Sequence, residues 1–316
     1  MGYNSSNQER VSLLDSKAVK SRSNPDELIP FQGKSPSEGG HKVLIRPPGE
    51  EARGQELREL WNYRYLIPIM ARRNITFRYR QSLLGPTWYV LDPIMRMGIF
   101  SLVLGGIAQL PSEGIPYPLF VYTALLPWTI LSGGVKRGTE SLVTHMHIIS
   151  KVYFPRLILP AAEVLTALVD FAISFVILLG MAFAFGFFPT PRYLLLPLFI
   201  VLSAMLALGV GYIFAGLHVR YRDISQFLGY FMKFWEYATP VAYSAAILQD
   251  RLPAWLFPVY RLNPMNPVVE GFRWVLVDGG RPPDWTLAVS CIVALVVLGI
   301  GVKVFTAAEH SIIDHI

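Results

Sequence analysis

The sequence has little charge: 16% of its 316 residues are charged and 53% are hydrophobic, whereas soluble globular chains carry about 25% charged residues. An ordinary soluble enzyme is excluded on that ground. It has one cysteine, Cys291, which excludes an internal disulfide and a thiolate metal cluster. It also lacks a nucleotide-binding loop. Gly33-Lys34-Ser35 ends like one, but Leu28 stands where the required glycine would be, so any ATP must be handled by another chain. The six histidines, His41, His145, His147, His218, His310 and His315, never take zincin spacing, and no Gly-x-Ser-x-Gly elbow occurs. No catalytic residue and no metal ligand is expected. Residues 1–19 contain no apolar signal-peptide core, so the start is expected to stay in the cytoplasm.

What charge there is lies unevenly. Residues 1–82 hold 14 Lys/Arg and 9 Asp/Glu, and the remaining 234 hold 14 and 13. Residues 1–56, rich in Ser, Pro, Gly and charge, cannot bury enough surface to offset chain ordering and are expected to form a disordered cytoplasmic tail. Residues 57–82 set Leu57, Leu60, Trp61 and Tyr65 at helical spacing among Arg64, Arg72, Arg73, Arg78 and Arg80. That is an amphipathic helix expected to lie on the membrane surface in contact with lipid, the alternative being a soluble helix packing on a partner. The net charge of +6 then reads as membrane orientation, with no nucleic-acid partner.

Residues 83–316 read as a transmembrane domain. Charge-poor runs occupy 97–112, extended backward to 88, then 114–135, 158–191, 193–219 and 285–302, each near the 20 or so residues a spanning helix needs. A further run, 224–248, is interrupted by Lys233 and Glu236. The expectation is an all-α integral membrane protein with six spans. The connection 136–156, with four basic residues, and the Arg220/Arg222 turn lie on one side; the loop 110–116 has no basic residue and Arg192 is alone in its loop. The positive-inside rule places both termini in the cytoplasm. Arg251, Arg261, Arg273 and Arg281 in the connection 249–284 run against that rule. This connection mixes aromatics with six prolines and is expected to form short re-entrant helices, which requires protein or a wet cavity to satisfy their backbone.

Three ionisable features fall inside the apolar runs. Asp170 is mid-way along the third span and should face the bundle interior. Asp92 and Arg96, four apart, can pair. Lys233 and Glu236, three apart, are expected to share one helix face.

The run Arg72-Arg73-Asn74-Ile75-Thr76-Phe77-Arg78-Tyr79-Arg80-Gln81-Ser82-Leu83-Leu84-Gly85-Pro86-Thr87-Trp88, leading into Leu91-Asp92-Pro93, closely resembles the entry to the first span of type-2 ABC transporter permeases that export polysaccharides. The resemblance continues through Tyr117-Pro118-Leu119-Phe120, Leu126-Pro127-Trp128, Lys151-Val152-Tyr153-Phe154-Pro155-Arg156, Val219-Arg220-Tyr221-Arg222-Asp223, Thr239-Pro240-Val241-Ala242-Tyr243 and Leu262-Asn263-Pro264-Met265-Asn266-Pro267. It implies a permease half that homodimerises around a channel in the inner membrane. Two copies of a separate cytoplasmic ATPase would bind ATP and Mg, and the cargo would be a polysaccharide such as O-antigen, capsule or teichoic acid, usually lipid-linked. An exporter of drugs or small lipids and a membrane enzyme acting on lipid-linked sugars are the competing readings.

The same resemblance assigns ATPase coupling to the connection carrying Arg137, His147, Ile148, Ile149, Lys151 and Arg156. An outer gate falls on Asn263, Pro264, Asn266, Pro267, Phe272 and Trp274. A sliding sugar polymer is best met by aromatic surfaces with few strong charges, which makes Tyr89, Tyr122, Trp128, Tyr230, Phe234, Trp235 and Tyr237 channel-lining candidates, with Lys233 and Glu236 facing a water-filled conduit among them.

Overall fold

The computed structural model describes residues 55–80, 87–149, 151, 154–221, 223–251, 253, 255–277 and 282–313. The expected tail up to residue 54, the Gly33 triplet, Arg222 and Arg281 lie outside them, while the tail's last two residues, Gln55 and Glu56, open the first described helix. Every regular element among the described residues is a helix, and there is no strand among them.

The amphipathic segment forms two helices rather than one, α1 (Gln55–Asn62) and α2 (Leu66–Arg80), separated by a turn at Tyr63, where the backbone bonds shorten to 3.4 and 2.9 Å contacts three residues apart. Helix α3 (Thr87–Phe100) runs without a break into a π-helical stretch, Ser101–Ile107. Then come α4 (Tyr117–Thr144), a single turn α5 (Met146–Ile149), α6 (Ile158–Ala184), a 3-10 turn Pro191–Leu195 and α7 (Leu196–Arg220). The chain continues as α8 (Ile224–Tyr237), α9 (Ala245–Arg251), α10 (Leu256–Arg261), α11 (Met265–Leu276) and α12 (Trp285–Ile313). Four of these stretches are long and apolar enough to cross a membrane: Tyr117–Thr144, Ile158–Ala184, Pro191–Arg220 and Trp285–Glu309.

The run 224–248 is not one helix. Pro240 has no N–H and disfavours helical backbone at the residue before it, so α8 stops at Tyr237. Its 14 residues rise about 21 Å at 1.5 Å each, short of a hydrocarbon core of about 30 Å.

Helix α4 is the centre of the bundle. It packs against α6 and α7, and α7 in turn packs against α12. Around Phe120, Tyr122, Trp128 and Leu131 the first half of α4 is buried on every side, which is why that half is apolar nearly all round rather than striped; Lys136 and Val143 are exposed further along. Helix α12 is the opposite case, presenting Ile292, Leu295, Val296 and Ile300 outward.

Small residues set how closely α7 and α12 approach. A Cβ at Gly301 would lie 2.3 Å from the Gly209 carbonyl oxygen, and one at Gly209 would meet the backbone of Val297 and Leu298 at 2.7–2.9 Å. Backbone cannot yield as a side chain can, and apolar helices gain most from such close approach. Gly301→Val is expected to lower stability by about 1–3 kcal/mol through overpacking, whereas Gly299→Ala, with open space around it, should cost nothing. Unfolding of the two purified variants in detergent checks the contrast.

Candidate functional site

The ends of α4, α6, α7 and α12 gather in two groups. At one end, Tyr212 of α7 donates to the Leu157 carbonyl (3.0 Å) and stacks edge-on against Phe305 of α12, while Arg156 pairs with Glu309 at 3.4 Å. At the other, Tyr117 donates to the Ala242 carbonyl (2.6 Å) and Ser290 to the Pro264 carbonyl (2.6 Å).

The first end holds a charge cluster. Glu163 and Asp170 lie two turns apart on α6 and so share one face. Arg137 of α4 reaches both, at 3.5 Å from Glu163 and 3.2 Å from Asp170. Arg78 of α2 reaches the same two carboxylates, at 4.0 and 3.5 Å. Asn74 donates to Glu163 at 2.7 Å, and its Oδ1 lies 3.2 Å from His145 Nε2. His145 Nδ1 lies 2.8 Å from the Ser141 carbonyl. Both ring nitrogens therefore lie within hydrogen-bond distance of an oxygen. Two guanidiniums against two carboxylates keep this half-buried group near neutrality, the condition under which buried ions persist.

The cluster links four elements: α2, the lower part of α4, the approach to α5, and α6. Asp170 faces the interior, as its position in the span predicts. Glu163, Asn74 and His145 were not singled out in the sequence, although the seven-residue spacing of Glu163 and Asp170 inside an apolar run was a readable signal. The connection expected over residues 137–156 is shorter than its sequence implies, because α4 continues to Thr144. Arg137 is thus turned into the bundle, and Arg156 is held by Glu309. His147 and Lys151 are exposed, while Ile148 and Ile149 pack against the cluster of Leu142, Leu157 and Phe305.

The aromatic candidates separate into two sets. Tyr122 and Trp128 are fully buried and belong to the core of the chain. Trp235 sits edge-on to Trp128 and donates to Asn263 at 2.9 Å. Tyr230, Phe234 and Tyr237 are 67–76% exposed and, with Phe227, form one stripe along α8. Lys233 is exposed beside them. The side chain of Tyr89 lies outside the described residues.

Glu236 does not share its surroundings with Lys233. It turns inward to Arg96 (3.4 Å), which also holds Asp92 at 3.1 Å, the expected i,i+4 pair. The reason is positional: α3 presents a guanidinium to one flank of α8, and a carboxylate with a partner there is better satisfied than one left on the open face.

The connection 249–284 folds onto the second end. Asn263 donates to the Ala238 carbonyl (3.1 Å) and Thr239 Oγ1 (3.0 Å), and its own Oδ1 takes bonds from Trp235 and from the Met265 N–H. Pro267 and Phe272 are buried, Phe272 against Phe171 and Phe175, and Trp274 lies 5.0 Å beneath the Arg192 guanidinium. Arg273 is buried, donating to the carbonyls of Phe120 (3.2 Å) and Val241 (2.6 Å), its guanidinium stacked 3.6 Å from the Phe120 ring. Arg261 pairs with Asp284. Arg261 and Arg273 are thus engaged by partners within the fold. Burial raises the Asp284 carboxyl, but the bonds from Thr286 and the charge of Arg261 outweigh it and leave it below the ordinary carboxylate range. The loop between α3 and α4 is tied to the same end: Ser244 donates to Glu113, whose backbone is held in the left-handed region at φ 57°, a cost that persists only where surroundings enforce it.

Comparison with known proteins bears on this arrangement. The family model described as ABC-2 type transporter matches residues 65–277. An O-antigen export system permease protein, RfbA, of Myxococcus xanthus is 28% identical over 261 residues, covering 82% of this chain and 98% of that protein. A protein of the same name from Klebsiella pneumoniae is 22% identical, covering 78% and 92%. The polysialic acid transport protein KpsM of Escherichia coli is 23% identical, covering 76% and 92%. With a match that takes in α2 through α11, the charge cluster and the connection folded over the far end included, the chain belongs to the ABC-2 type transporter family.

Proposed function

We propose that the chain is the membrane-spanning permease subunit of an ATP-driven exporter that carries a lipid-linked polysaccharide across the inner membrane. The observation that carries this reading is the path from α5 into the bundle. His145, one residue before α5, bonds to Asn74 of the amphipathic helix, Asn74 bonds to Glu163 of a span, and Arg137 joins α4 to the same carboxylates. A push on α5 therefore reaches an interface helix and two spans through directional polar contacts. That is what a subunit without its own nucleotide site requires from a cytoplasmic motor, here two copies of a separate ATPase that bind ATP and Mg. The named roles of the relatives supply the cargo class.

Two copies of the chain form the conduit in this reading. The exposed stripe of Phe227, Tyr230, Phe234 and Tyr237 with Lys233 suits a partner copy and a wet passage better than lipid, since an unpaired lysine facing hydrocarbon is costly. Six crossings are completed by α3 with its π-helical continuation, about 30 Å at 1.5 Å per residue, and by α8 with the turn and α9 that follow. Both termini lie in the cytoplasm, and α10 and α11 are re-entrant on the outer side.

Exposed His147 is the side chain on α5 best placed to meet the motor without disturbing the core. His147→Asp is expected to reduce surface glycan at least about tenfold, the equivalent of 1.4 kcal/mol at the contact, while membrane levels hold. The purified chain alone should not hydrolyse ATP, and co-expression with its ATPase should give a complex with two copies of each. Full export by the variant, or ATP turnover by the chain alone, would overturn the proposal.

A further inference from the structure

At the second end of the bundle a pocket of about 190 Å³ opens between α10, α11 and the start of α12. This is smaller than the roughly 300 Å³ or more usual for drug-sized ligands and suits a ligand the size of one pyranose ring. Its wall is unlike the apolar surfaces around it. Phe257 and Tyr260 stand side by side, ring centroids 6.4 Å apart and 24° from parallel. Around them are Asn266, Glu270, Asp284 and Arg261. Asn266 is 5% exposed; its amide nitrogen donates to the Tyr260 carbonyl at 2.8 Å, which fixes the orientation of the side chain, and its Oδ1 has no hydrogen-bond partner in the protein. A buried acceptor held in a fixed orientation without a donor costs about 1–3 kcal/mol, and such groups ordinarily have a partner.

The chemistry of the lining selects the ligand. Carboxylate and amide oxygens accept from hydroxyls, the guanidinium donates to them, and an aromatic wall suits the C–H face of a sugar ring. The lining carries one guanidinium and two carboxylates. The pocket therefore has no surplus of positive charge for an anionic ligand. Arg261 is already committed to Asp284, so an incoming carboxylate or phosphate would meet acidic neighbours without a free cation, an arrangement that discriminates against it.

We propose that this pocket binds one uncharged hexose unit of the exported glycan, with Asn266 Oδ1 accepting from a ring hydroxyl. The inference rests on the polysaccharide-export reading and adds a sugar subsite beside the outer end of the conduit. Each chain would hold one unit as the polymer emerges, by contacts weak enough to exchange at every step.

The test uses the full chain with its ATPase in lipid nanodiscs. Saturation-transfer NMR is recorded with methyl glycosides of glucose, galactose, mannose and rhamnose, and with N-acetylneuraminic acid. Ala245→Trp fills the pocket from its rim and leaves the Asn266 bond to Tyr260 in place. Glu270→Gln removes one acceptor charge without changing shape. At least one neutral glycoside should bind in the millimolar range, about tenfold more weakly in Ala245→Trp, with N-acetylneuraminic acid not competing. Binding unchanged by Ala245→Trp, preference for the acidic sugar, or no saturation by any glycoside would overturn the proposal. Surface glycan produced by the unmutated complex is measured alongside. If export is intact and the sugars fail to bind, the subsite alone is wrong; if no glycan is exported, the functional reading fails with it.

Discussion

Arg137→Leu is expected to destabilise the folded chain by about 3–5 kcal/mol, the range for removing one partner from a buried ion cluster. Arg137 is the shorter-range partner of both Glu163 and Asp170, so its loss leaves two carboxylates on one face of α6 with Arg78 alone between them. Unfolding of the purified chain would register the loss directly, and limited proteolysis should cut α2 faster, since Arg78 and Asn74 hold that helix through the same acids. Combining Arg137→Leu with Asp170→Leu should cost less than the sum of the two single changes, by about 0.5–3 kcal/mol of coupling. Strict additivity would mean that the cluster does not act as a unit.

Arg273→Leu should have an effect of comparable size at the opposite end. The guanidinium bonds two carbonyls from different parts of the chain and stacks on Phe120. Phe120 O keeps the bond from Thr123 Oγ1, whereas Val241 O loses a charged donor in a buried place. With hydrogen bonds to charged groups contributing about 1.5–3 kcal/mol each, a total loss of about 3–5 kcal/mol is expected. Arg273→Lys should rescue little, because a single ammonium cannot reproduce a planar fork that serves two acceptors while stacked. Thermal unfolding of both variants decides the matter: a lysine variant close to the unmutated chain would show that charge alone suffices there.

The parts of this fold that were legible in sequence are those where one residue type dominates over a long stretch. The four long spans follow from unbroken apolar runs, and the Asp92–Arg96 pair follows from helical spacing alone. Breaks and partners were harder to read. A proline near the end of an apolar run does not announce whether the helix kinks or stops, and at Pro240 it stops. The i,i+3 placement of Lys233 and Glu236 is correct as spacing, but the partner that decided where Glu236 points is Arg96, 140 residues away. Arg273 carries no local signal of burial; only the carbonyls of Phe120 and Val241, brought together by the fold, explain it. The buried Tyr122 is identical in type to the exposed Tyr230 and Tyr237 on α8, and composition cannot tell a ring in the core from one on the surface.

Helix α4 carries both arginine sites along its length: Arg137 near one end, and Phe120, which receives Arg273, near the other. Mechanically it is a beam. Its 28 residues measure about 42 Å at 1.5 Å each, so a tilt of about 5° about the middle would displace each end by about 2 Å, more than enough to break a hydrogen bond. Pro127 lies close to that middle and removes one backbone bond there. The fulcrum and the weakest point of the beam therefore coincide, and a rocking motion at the charge cluster would arrive at the Phe120 end with its direction reversed.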